Sequence, residues 1–149
     1  LSTQQLYDEM LARCGQADVI IQAAAPADFT PVQAAEQKIK KQAGQPLMLT
    51  LRETPDVAKA VGERKKEGQI LVGFAAETQR MLENAEKKLQ SKRLDLIVAN
   101  DVTAPGAGFD TDTNIVTFIT RAGQESLPLM SKRQVADELL NRILMLKAR

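Results

Sequence analysis

Stretches of continuous apolar residues alternate along the chain with segments whose apolar residues recur at helical spacing. Short continuous runs are typical of strands that are buried on both faces of a parallel sheet. Runs of this kind predict strands at residues 18–24, 70–76 and 96–99, and an apolar run at 47–52 predicts a further strand.

The predicted helices carry start signals in the sequence. Ser2 followed by Gln5 is a capping box, and the apolar spacing after it predicts a helix from about Thr3 to Cys14. Thr54-Pro55-Asp56 has the composition of a helix start, with a hydroxyl cap, a proline at the first helical position and an acid in the first turn. Another helix is predicted to begin at Glu77-Thr78, directly after a strand.

The C-terminal part departs from this alternation. Residues 115–119 and 126–129 flank a Gly-containing turn, which predicts a hairpin, and Pro128 confines its second arm to a sheet edge. Ser131 and Gln134 then form a second capping box at the start of the last helix. The face that this helix is predicted to bury carries Val135, Leu139, Leu140, Ile143 and Leu144.

These elements predict an α/β fold with a mainly parallel sheet flanked by helices, followed by a C-terminal β-hairpin and helix. The length of 149 residues suits a single domain over 1–149. An α/β domain normally opens with a strand, whereas this chain opens on a helix, at Leu1 and without an initiating Met. We therefore expect an N-terminally truncated part of a longer protein.

Composition narrows the possible chemistry. A net charge of +1 and an aromatic content of 3% give no reason to expect nucleic acid or a membrane as a partner. The chain has no histidine, which excludes Ser-His-Asp and Cys-His catalysis and zinc sites with imidazole ligands. The single cysteine, Cys14, gives no disulfide framework, so a cytoplasmic setting is expected. Any chemistry must use lysines, carboxylates, hydroxyls and backbone N–H groups.

Residues 23–41 form the stretch with the strongest signal for a ligand. Small residues follow the first predicted strand, then come an acid, an aromatic residue, and three lysines within residues 38–41. Small side chains let a ligand approach the backbone, and lysines supply positive charge, so the stretch indicates a phosphate-bearing ligand at a strand's carboxyl end. A solvated loop whose lysines only favour solubility is the alternative.

Other candidate residues also have purely structural interpretations. Asp28 can bond backbone N–H groups of its own turn, and Phe74 can pack in the core. Lys88 and Lys92, four residues apart, can form a solvated helix face. Pro55-Asp56 is explained by a helix start, although a helix N-terminus also receives phosphate. Local sequence alone leaves these alternatives open.

The chain resembles the bacterial phosphopantothenoylcysteine synthetases, which form the second half of the bifunctional coenzyme A biosynthesis flavoprotein. The resemblance covers essentially the whole chain, and two of its motifs, Gly-Phe-Ala-Ala-Glu-Thr and Lys-Ile-Lys-Lys, are specific when they occur together. The matching segments are Ala-Ala-x-Ala-Asp-Phe at 24–29, Lys-Ile-Lys-Lys at 38–41, Thr-Pro-Asp at 54–56, Gly-Phe-Ala-Ala-Glu-Thr at 73–78, Lys88 with Lys92, Asn-Asp-Val at 100–102 and Gly-Phe-Asp-x-Asp-x-Asn at 108–114.

This resemblance implies a Rossmann-like, cytoplasmic, homodimeric ligase that uses cytidine triphosphate (CTP). In the family, 4′-phosphopantothenate attacks CTP to give an acyl-cytidylate and pyrophosphate, and cysteine then displaces CMP to form an amide. The triphosphate needs mobile cations, which lysines supply as point charges. The resemblance also implies Mg²⁺, whereas FMN belongs to the decarboxylase half of the bifunctional protein.

In such a sheet ligands bind beyond the carboxyl ends of strands, and four segments lie at strand ends or at the helix starts beside them, at residues 23–28, 54–58, 74–78 and 100–102. Transferred to this sequence, the family's nucleotide site falls on residues of the first three of these segments, on the residue before the first of them, and on three lysines elsewhere in the chain. Lys38 is implied as a catalytic cation that reaches the phosphates, and the loop after it, with Gly44 as a hinge, as a lid. Asp28 is implied to bond a polar part of the nucleotide. The implied binding residues are Gln22, Ala23, Ala24, Asp28, Lys38, Pro55, Asp56, Val57, Ala58, Phe74, Lys88 and Lys92.

The family pattern is not fully matched. Pro26 stands where the family more often has Val, and the family's Gly-rich first turn and its asparagine for the acyl-cytidylate would lie upstream of Leu1. The chain alone is therefore expected to keep nucleotide contacts without catalysing the full reaction. Asp110 and Asp112 are either magnesium ligands or turn residues.

Two further functional classes are open. An NAD(P)-binding Rossmann oxidoreductase is disfavoured, because Gly106-Ala107-Gly108 lacks the third glycine of the dinucleotide fingerprint. A non-catalytic oligomerisation module would use the hairpin at 115–129 and the long loop.

Overall fold

A computed structural model describes residues 2–41, 44–77, 81–101 and 111–148 of the chain. The helices are α1 (Thr3–Arg13), α2 (Val57–Arg64), α3 (Met81–Ser91) and α4 (Lys132–Lys147), with a 3₁₀ turn at Cys14–Gln16. The strands are β1 (Val19–Gln22), β2 (Phe29–Pro31), β3 (Leu51–Glu53), β4 (Ile70–Glu77), β5 (Leu96–Asp101), β6 (Thr113–Asn114), β7 (Val116–Thr120), β8 (Gly123–Ser126) and β9 (Met130–Ser131).

The main sheet has five strands in the order β1-β4-β5-β7-β8. β1, β4 and β5 are parallel, and the hairpin β7–β8 continues the sheet in antiparallel orientation. The predicted α/β class, with parallel strands, flanking helices, a hairpin and a last helix, is therefore confirmed. β8 lies at the edge of the sheet. The predicted bounds of the second arm, 126–129, are wrong apart from Ser126: Thr120 already pairs with Gly123, so the turn has only two residues, the strand ends at Ser126 and Pro128 follows it.

Each face of the sheet has its own hydrophobic core, because successive residues of a strand point to opposite faces. On one face, Leu71 and Ile97 pack with residues of α2 and α3, among them Val61 and Leu89. On the other face, strand residues such as Val98 pack against α4. The α4 residues in that core are Val135, Leu139 and Ile143. Of the five residues predicted to lie inside, Leu140 and Leu144 are instead 52% and 67% exposed.

Both predicted capping boxes are present, at Ser2 with Gln5 and at Ser131 with Gln134. The predicted start of α2 is wrong by two residues, since Asp56 is the N-cap and accepts a hydrogen bond from the backbone N–H of Lys59. The predicted helix start at residue 77 is also wrong, because β4 continues through that residue in register with β5.

The predicted strand at 47–52 is much shorter than expected. Only Leu51–Glu53 forms a strand, β3, and it pairs antiparallel with β2, which the apolar pattern did not indicate. These two strands make a separate small sheet. Within the part of the chain that is described, no helix has the length and apolar content needed to cross a membrane.

Candidate functional site

A cavity of about 460 Å³ lies beyond the carboxyl end of β1 and against residues 73–75 of β4. The two strands are parallel neighbours with Gln22 opposite Gly73, so the segments that follow them meet at one edge of the sheet. The volume falls within the range of small-molecule sites. The lining residues are Gln22, Ala24, Ala25, Pro26, Asp28, Phe29, Glu53, Thr54, Pro55, Asp56, Val57, Ala58, Gly73, Phe74, Ala75, Lys88, Lys92, Leu94 and Ile97.

The cavity brings together most of the residues that the sequence predicted for a nucleotide site. Among the predicted residues, Ala23 and Lys38 do not line it. Lys38 is exposed in a segment without regular secondary structure, so its role as a catalytic cation stays a prediction. The predicted residues that do line the cavity are Gln22, Ala24, Asp28, Pro55, Asp56, Val57, Ala58, Phe74, Lys88 and Lys92.

The floor of the cavity is apolar and well ordered by packing. Val57 is 2% exposed and Ala75 is 4% exposed, and both belong to the core beneath the site. Gln22 is also buried, and its side-chain amide donates to the carbonyl oxygen of Ala24 at 3.2 Å, which holds the chain just after β1. Phe74 is 38% exposed, so its ring serves as a cavity wall rather than as core packing.

Asp56 joins the start of α2 to a lysine of the cavity. One of its carboxylate oxygens accepts the backbone N–H of Lys59 at 3.0 Å, and the other lies 2.9 Å from the ammonium of Lys92. Partial burial by itself raises the pKa of Asp56. The hydrogen bonds from Lys92 and Lys59 and their two positive charges outweigh burial, so the pKa lies below the ordinary aspartate value.

The contacts of Asp56 change the expectation for anion binding at the start of α2. The N-terminus of α2 was expected to offer backbone N–H groups to an anion, but the carboxylate of Asp56 already accepts one of them. A ligand phosphate near Lys92 must therefore compete with Asp56 for the same ammonium. Lys88, one turn earlier on α3, is partly buried and lines the cavity as a second cation.

Thr54 ties two walls of the cavity together. Its hydroxyl donates to the carbonyl oxygen of Ala27 at 2.6 Å, and its backbone N–H donates to that of Asp28 at 2.9 Å. The sequence pattern assigned this hydroxyl to the cap of α2, a role that Asp56 fills. Its long-range partners, 27 residues away in the chain, leave no local signal in the sequence.

Asn100, near the carboxyl end of β5, carries a buried side-chain oxygen that has no hydrogen-bond partner within the described part of the chain. Buried polar atoms are nearly always paired, so an orphaned acceptor requires an explanation such as a ligand. The residue lies in one of the four strand-end segments predicted to hold chemistry.

The described residues contain no group of three or more His, Cys, Asp or Glu side chains that could hold a metal ion. Asp110 of the predicted magnesium pair lies outside the described residues, as does the glycine pair at 106 and 108. Magnesium in nucleotide sites is held largely through substrate phosphates and waters.

Comparisons with known proteins agree on the family. Residues 1–146 match the family described as the DNA/pantothenate metabolism flavoprotein C-terminal domain. The coenzyme A biosynthesis bifunctional protein CoaBC of Bacillus subtilis is 50% identical over 143 residues, which are 95% of this chain and 35% of that protein. A cysteine/cysteine sulfinic acid decarboxylase from an unknown prokaryotic organism is 42% identical over 97% of this chain and 40% of its own length.

The fold has a counterpart among solved structures. A crystal structure of the C-terminal domain of the bifunctional protein CoaBC superimposes with a TM-score of 0.76 at 34% identity. The match covers 98% of this chain and 63% of that one. The chain thus spans well under half the length of the two curated relatives and under two thirds of the solved domain.

Proposed function

Because the chain belongs to the family of DNA/pantothenate metabolism flavoprotein C-terminal domains, we propose that it is the nucleotide-binding part of a CTP-dependent phosphopantothenate–cysteine ligase. The observation that carries this proposal is the cavity beyond the carboxyl end of β1, against residues 73–75 of β4. It combines a small-residue loop, an acid and an aromatic wall with Lys88 and Lys92. Such a cavity suits a ligand with a flat aromatic base at one end and phosphates at the other.

The reaction needs alignment and charge neutralisation more than a protein nucleophile. The carboxylate of 4′-phosphopantothenate attacks the α-phosphorus of CTP, and the bond to the β-phosphate oxygen breaks to release pyrophosphate. The amine of cysteine then attacks the acyl carbon of the acyl-cytidylate, and CMP leaves as the amide forms. Lysines offset the charge that develops on the phosphates in both steps, so the absence of histidine is no obstacle.

The residues divide between the two ends of the nucleotide in this proposal. The loop at 23–28 and Phe74 hold the nucleoside, with Asp28 bonding its polar edge. Lys88 and Lys92 hold the phosphates, and Lys38 reaches them from its exposed segment when the lid closes. Mg²⁺ would be held mainly by the triphosphate oxygens and would add to the positive charge that the lysines supply. A cytoplasmic setting fits the single cysteine, Cys14, which is buried and not in a disulfide.

Calorimetric titration of the 149-residue chain with CTP, UTP and ATP tests the proposal. We expect CTP to bind most tightly, and we expect Lys88→Met and Lys38→Met to weaken CTP binding by about tenfold each, because each loses a charge-assisted contact. Lys87→Met is the matched control, since Lys87 is exposed on the same helix and does not line the cavity. Equal affinity for the three nucleotides would contradict the proposal.

Asn100 is proposed to contact the second substrate. Its orphaned carbonyl oxygen can accept a hydrogen bond from an amide N–H or a hydroxyl, and phosphopantothenate offers both. The acceptor lies at the carboxyl end of a strand, the edge of an α/β sheet at which ligands bind.

A homodimer through the segment from β2 to β3 is also part of the proposal. This segment exposes an unusual number of large apolar side chains, which mark interaction surfaces when they cluster. Sedimentation at several concentrations tests this, and a monomer at every concentration would contradict it. The exposed apolar residues are Phe29, Val32, Ile39, Leu47, Met48, Leu49 and Leu51.

A further inference from the structure

We propose that the turn at residues 54–56 controls both ends of the nucleotide site, with Thr54 fixing the nucleoside loop and Asp56 holding and partly neutralising the phosphate-binding lysine, so that Asp56 limits the affinity for phosphate. The inference rests on the proposed function, since it takes the cavity to hold a nucleotide. It adds that the nucleoside end and the phosphate end of the site are controlled by two different side chains of one short turn.

The hydroxyl of Thr54 acts on the loop that follows β1. Residues 23–27 have no regular secondary structure, and Thr54 donates to Ala27 from its side chain and to Asp28 from its backbone. The side-chain bond of 2.6 Å is short for an O–H···O contact. Since Asp56 caps α2, the Thr54 hydroxyl is not needed for the helix. Its contribution is to hold the loop, and with it Asp28, against the cavity.

The carboxylate of Asp56 acts on Lys92. Lys92 follows the last residue of α3, and its long side chain would otherwise sample many rotamers. The 2.9 Å contact with Asp56 holds the ammonium at the cavity wall. The same carboxylate partly neutralises Lys92, so an incoming phosphate gains less from that lysine than from a cation without an acidic neighbour.

These two roles predict that replacing Thr54 changes mainly nucleoside binding and that replacing Asp56 changes mainly pyrophosphate binding. Loss of the Thr54 hydroxyl frees the loop at 23–28 and weakens nucleoside binding, while Lys88 and Lys92 remain in place. Loss of the Asp56 charge frees Lys92 for phosphate and strengthens pyrophosphate binding, while the loop remains in place. A general loss of folding would weaken both ligands together.

The first arm of the experiment replaces Thr54. Thr54→Val keeps the shape of the side chain and removes its donor, and Thr54→Ser keeps the donor. Cytidine is titrated by ligand-observed NMR and inorganic pyrophosphate by calorimetry, with the full 149-residue chain. We expect Thr54→Val to weaken cytidine binding about five- to tenfold, the usual worth of one hydrogen bond. Pyrophosphate binding should stay within about twofold, and Thr54→Ser should bind cytidine as the wild type does.

The second arm replaces Asp56. Asn is as good an N-cap as Asp, so Asp56→Asn keeps the start of α2 and removes only the charge. We expect pyrophosphate to bind several-fold more tightly, with cytidine binding unchanged. Glu53→Gln is the matched control, because Glu53 also lines the cavity but is not the carboxylate that contacts Lys92. It should give a smaller gain than Asp56→Asn.

The outcomes distinguish this inference from the proposed function. A wild-type chain that binds neither cytidine nor pyrophosphate overturns the nucleotide site itself. A wild-type chain that binds both, with variants that change neither ligand or change both equally, overturns only the inference. If Thr54→Val does not fold, Thr54→Ala takes its place, and unchanged or weaker pyrophosphate binding by Asp56→Asn still counts against the inference.

Discussion

Gly62 of α2 packs directly against the backbone carbonyl of Lys92, with no room for a side chain between them. A Cβ at position 62 would overlap the Lys92 carbonyl oxygen and lie 3.0 Å from its carbonyl carbon. Glycine in a helix costs stability through its backbone freedom, so a compensating reason is expected. Here the reason is the close approach of α2 to the residue after α3, which lets Lys92 reach Asp56 at the start of α2.

Gly62→Ala should therefore destabilise the chain and disturb the phosphate end of the site. Overpacking against a backbone atom costs about 1–3 kcal/mol, which exceeds the gain in helix propensity. Urea denaturation gives the stability, and calorimetry should show weaker pyrophosphate binding because Lys92 moves. Gly15→Ala is the control, since a Cβ there meets nothing closer than 3.6 Å. Equal stability of Gly62→Ala and the wild type would contradict the packing argument.

Lys65 and Asp95 form an ion pair that fastens the end of α2 to the start of β5. The ammonium lies 2.6 Å from Asp95 and donates to the carbonyl oxygen of Arg93, while Asp95 also accepts the backbone N–H of Leu71 at 2.7 Å. Both side chains are largely buried, so removing Asp95 leaves the Lys65 ammonium without its counter-charge and the backbone N–H of Leu71 without this acceptor.

Asp95→Ala should accordingly cost about 1–3 kcal/mol of unfolding free energy. Nucleotide affinity should be unchanged in the folded variant, because neither partner lines the cavity. The Arg13–Glu9 pair on exposed helix surface is the comparison, and Glu9→Ala should cost less than about 0.5 kcal/mol. Denaturant titrations that show similar losses of unfolding free energy for Asp95→Ala and Glu9→Ala would contradict the argument from burial.

Replacing Asn100 should reduce ligand affinity more than it reduces the stability of the fold. Its buried oxygen has no hydrogen bond to any described residue, so Asn100→Ala should change stability by less than about 1 kcal/mol. Binding of 4′-phosphopantothenate should weaken by about tenfold if the oxygen accepts a substrate hydrogen bond. Asn114→Ala is the opposite control, because the Asn114 side chain accepts the backbone N–H of Ile115 and is buried. That variant should lose stability without losing affinity.

The ion pair of Asp56 should appear in the pH dependence of stability. Its pKa is lowered in the folded chain, so the stabilisation is present above the unfolded-state pKa, roughly pH 4, and is lost as the pH falls through the folded-state value. As the pH falls from about 6 to about 2, the melting temperature of Asp56→Asn should therefore decrease less steeply than that of the wild type. An identical slope for the variant and the wild type would show that Asp56 titrates without influencing folding.

Much of the fold is predictable from the sequence because its signals are local. The capping boxes at Ser2 and Ser131 involve residues three apart, and the apolar runs that became β4 and β5 are continuous in the chain. A parallel arrangement of such strands places their carboxyl ends at one edge, so the meeting of Gln22, Phe74 and the start of α2 in one cavity also follows from pattern and order.

The sequence could not show whether a residue caps the nearby helix or instead makes a long-range hydrogen bond. Thr54 and Asp56 are both good helix caps, and only the position of the Ala27 carbonyl determines that Asp56 caps α2 while Thr54 holds the loop. Leu140 and Leu144 have helical spacing that suits burial, yet the sheet faces another side of α4.

The sequence by itself therefore determined the α/β class, the order of the main elements and most of the predicted residues that line the cavity. Only the tertiary structure decided that α2 approaches the backbone of Lys92 closely at Gly62, that Asp56 pairs with the Lys92 ammonium and that Thr54 bonds the loop after β1. The physical reason is distance along the chain. Periodicity and capping act over a few residues, whereas these contacts join residues about 30 apart and depend on packing of the whole domain.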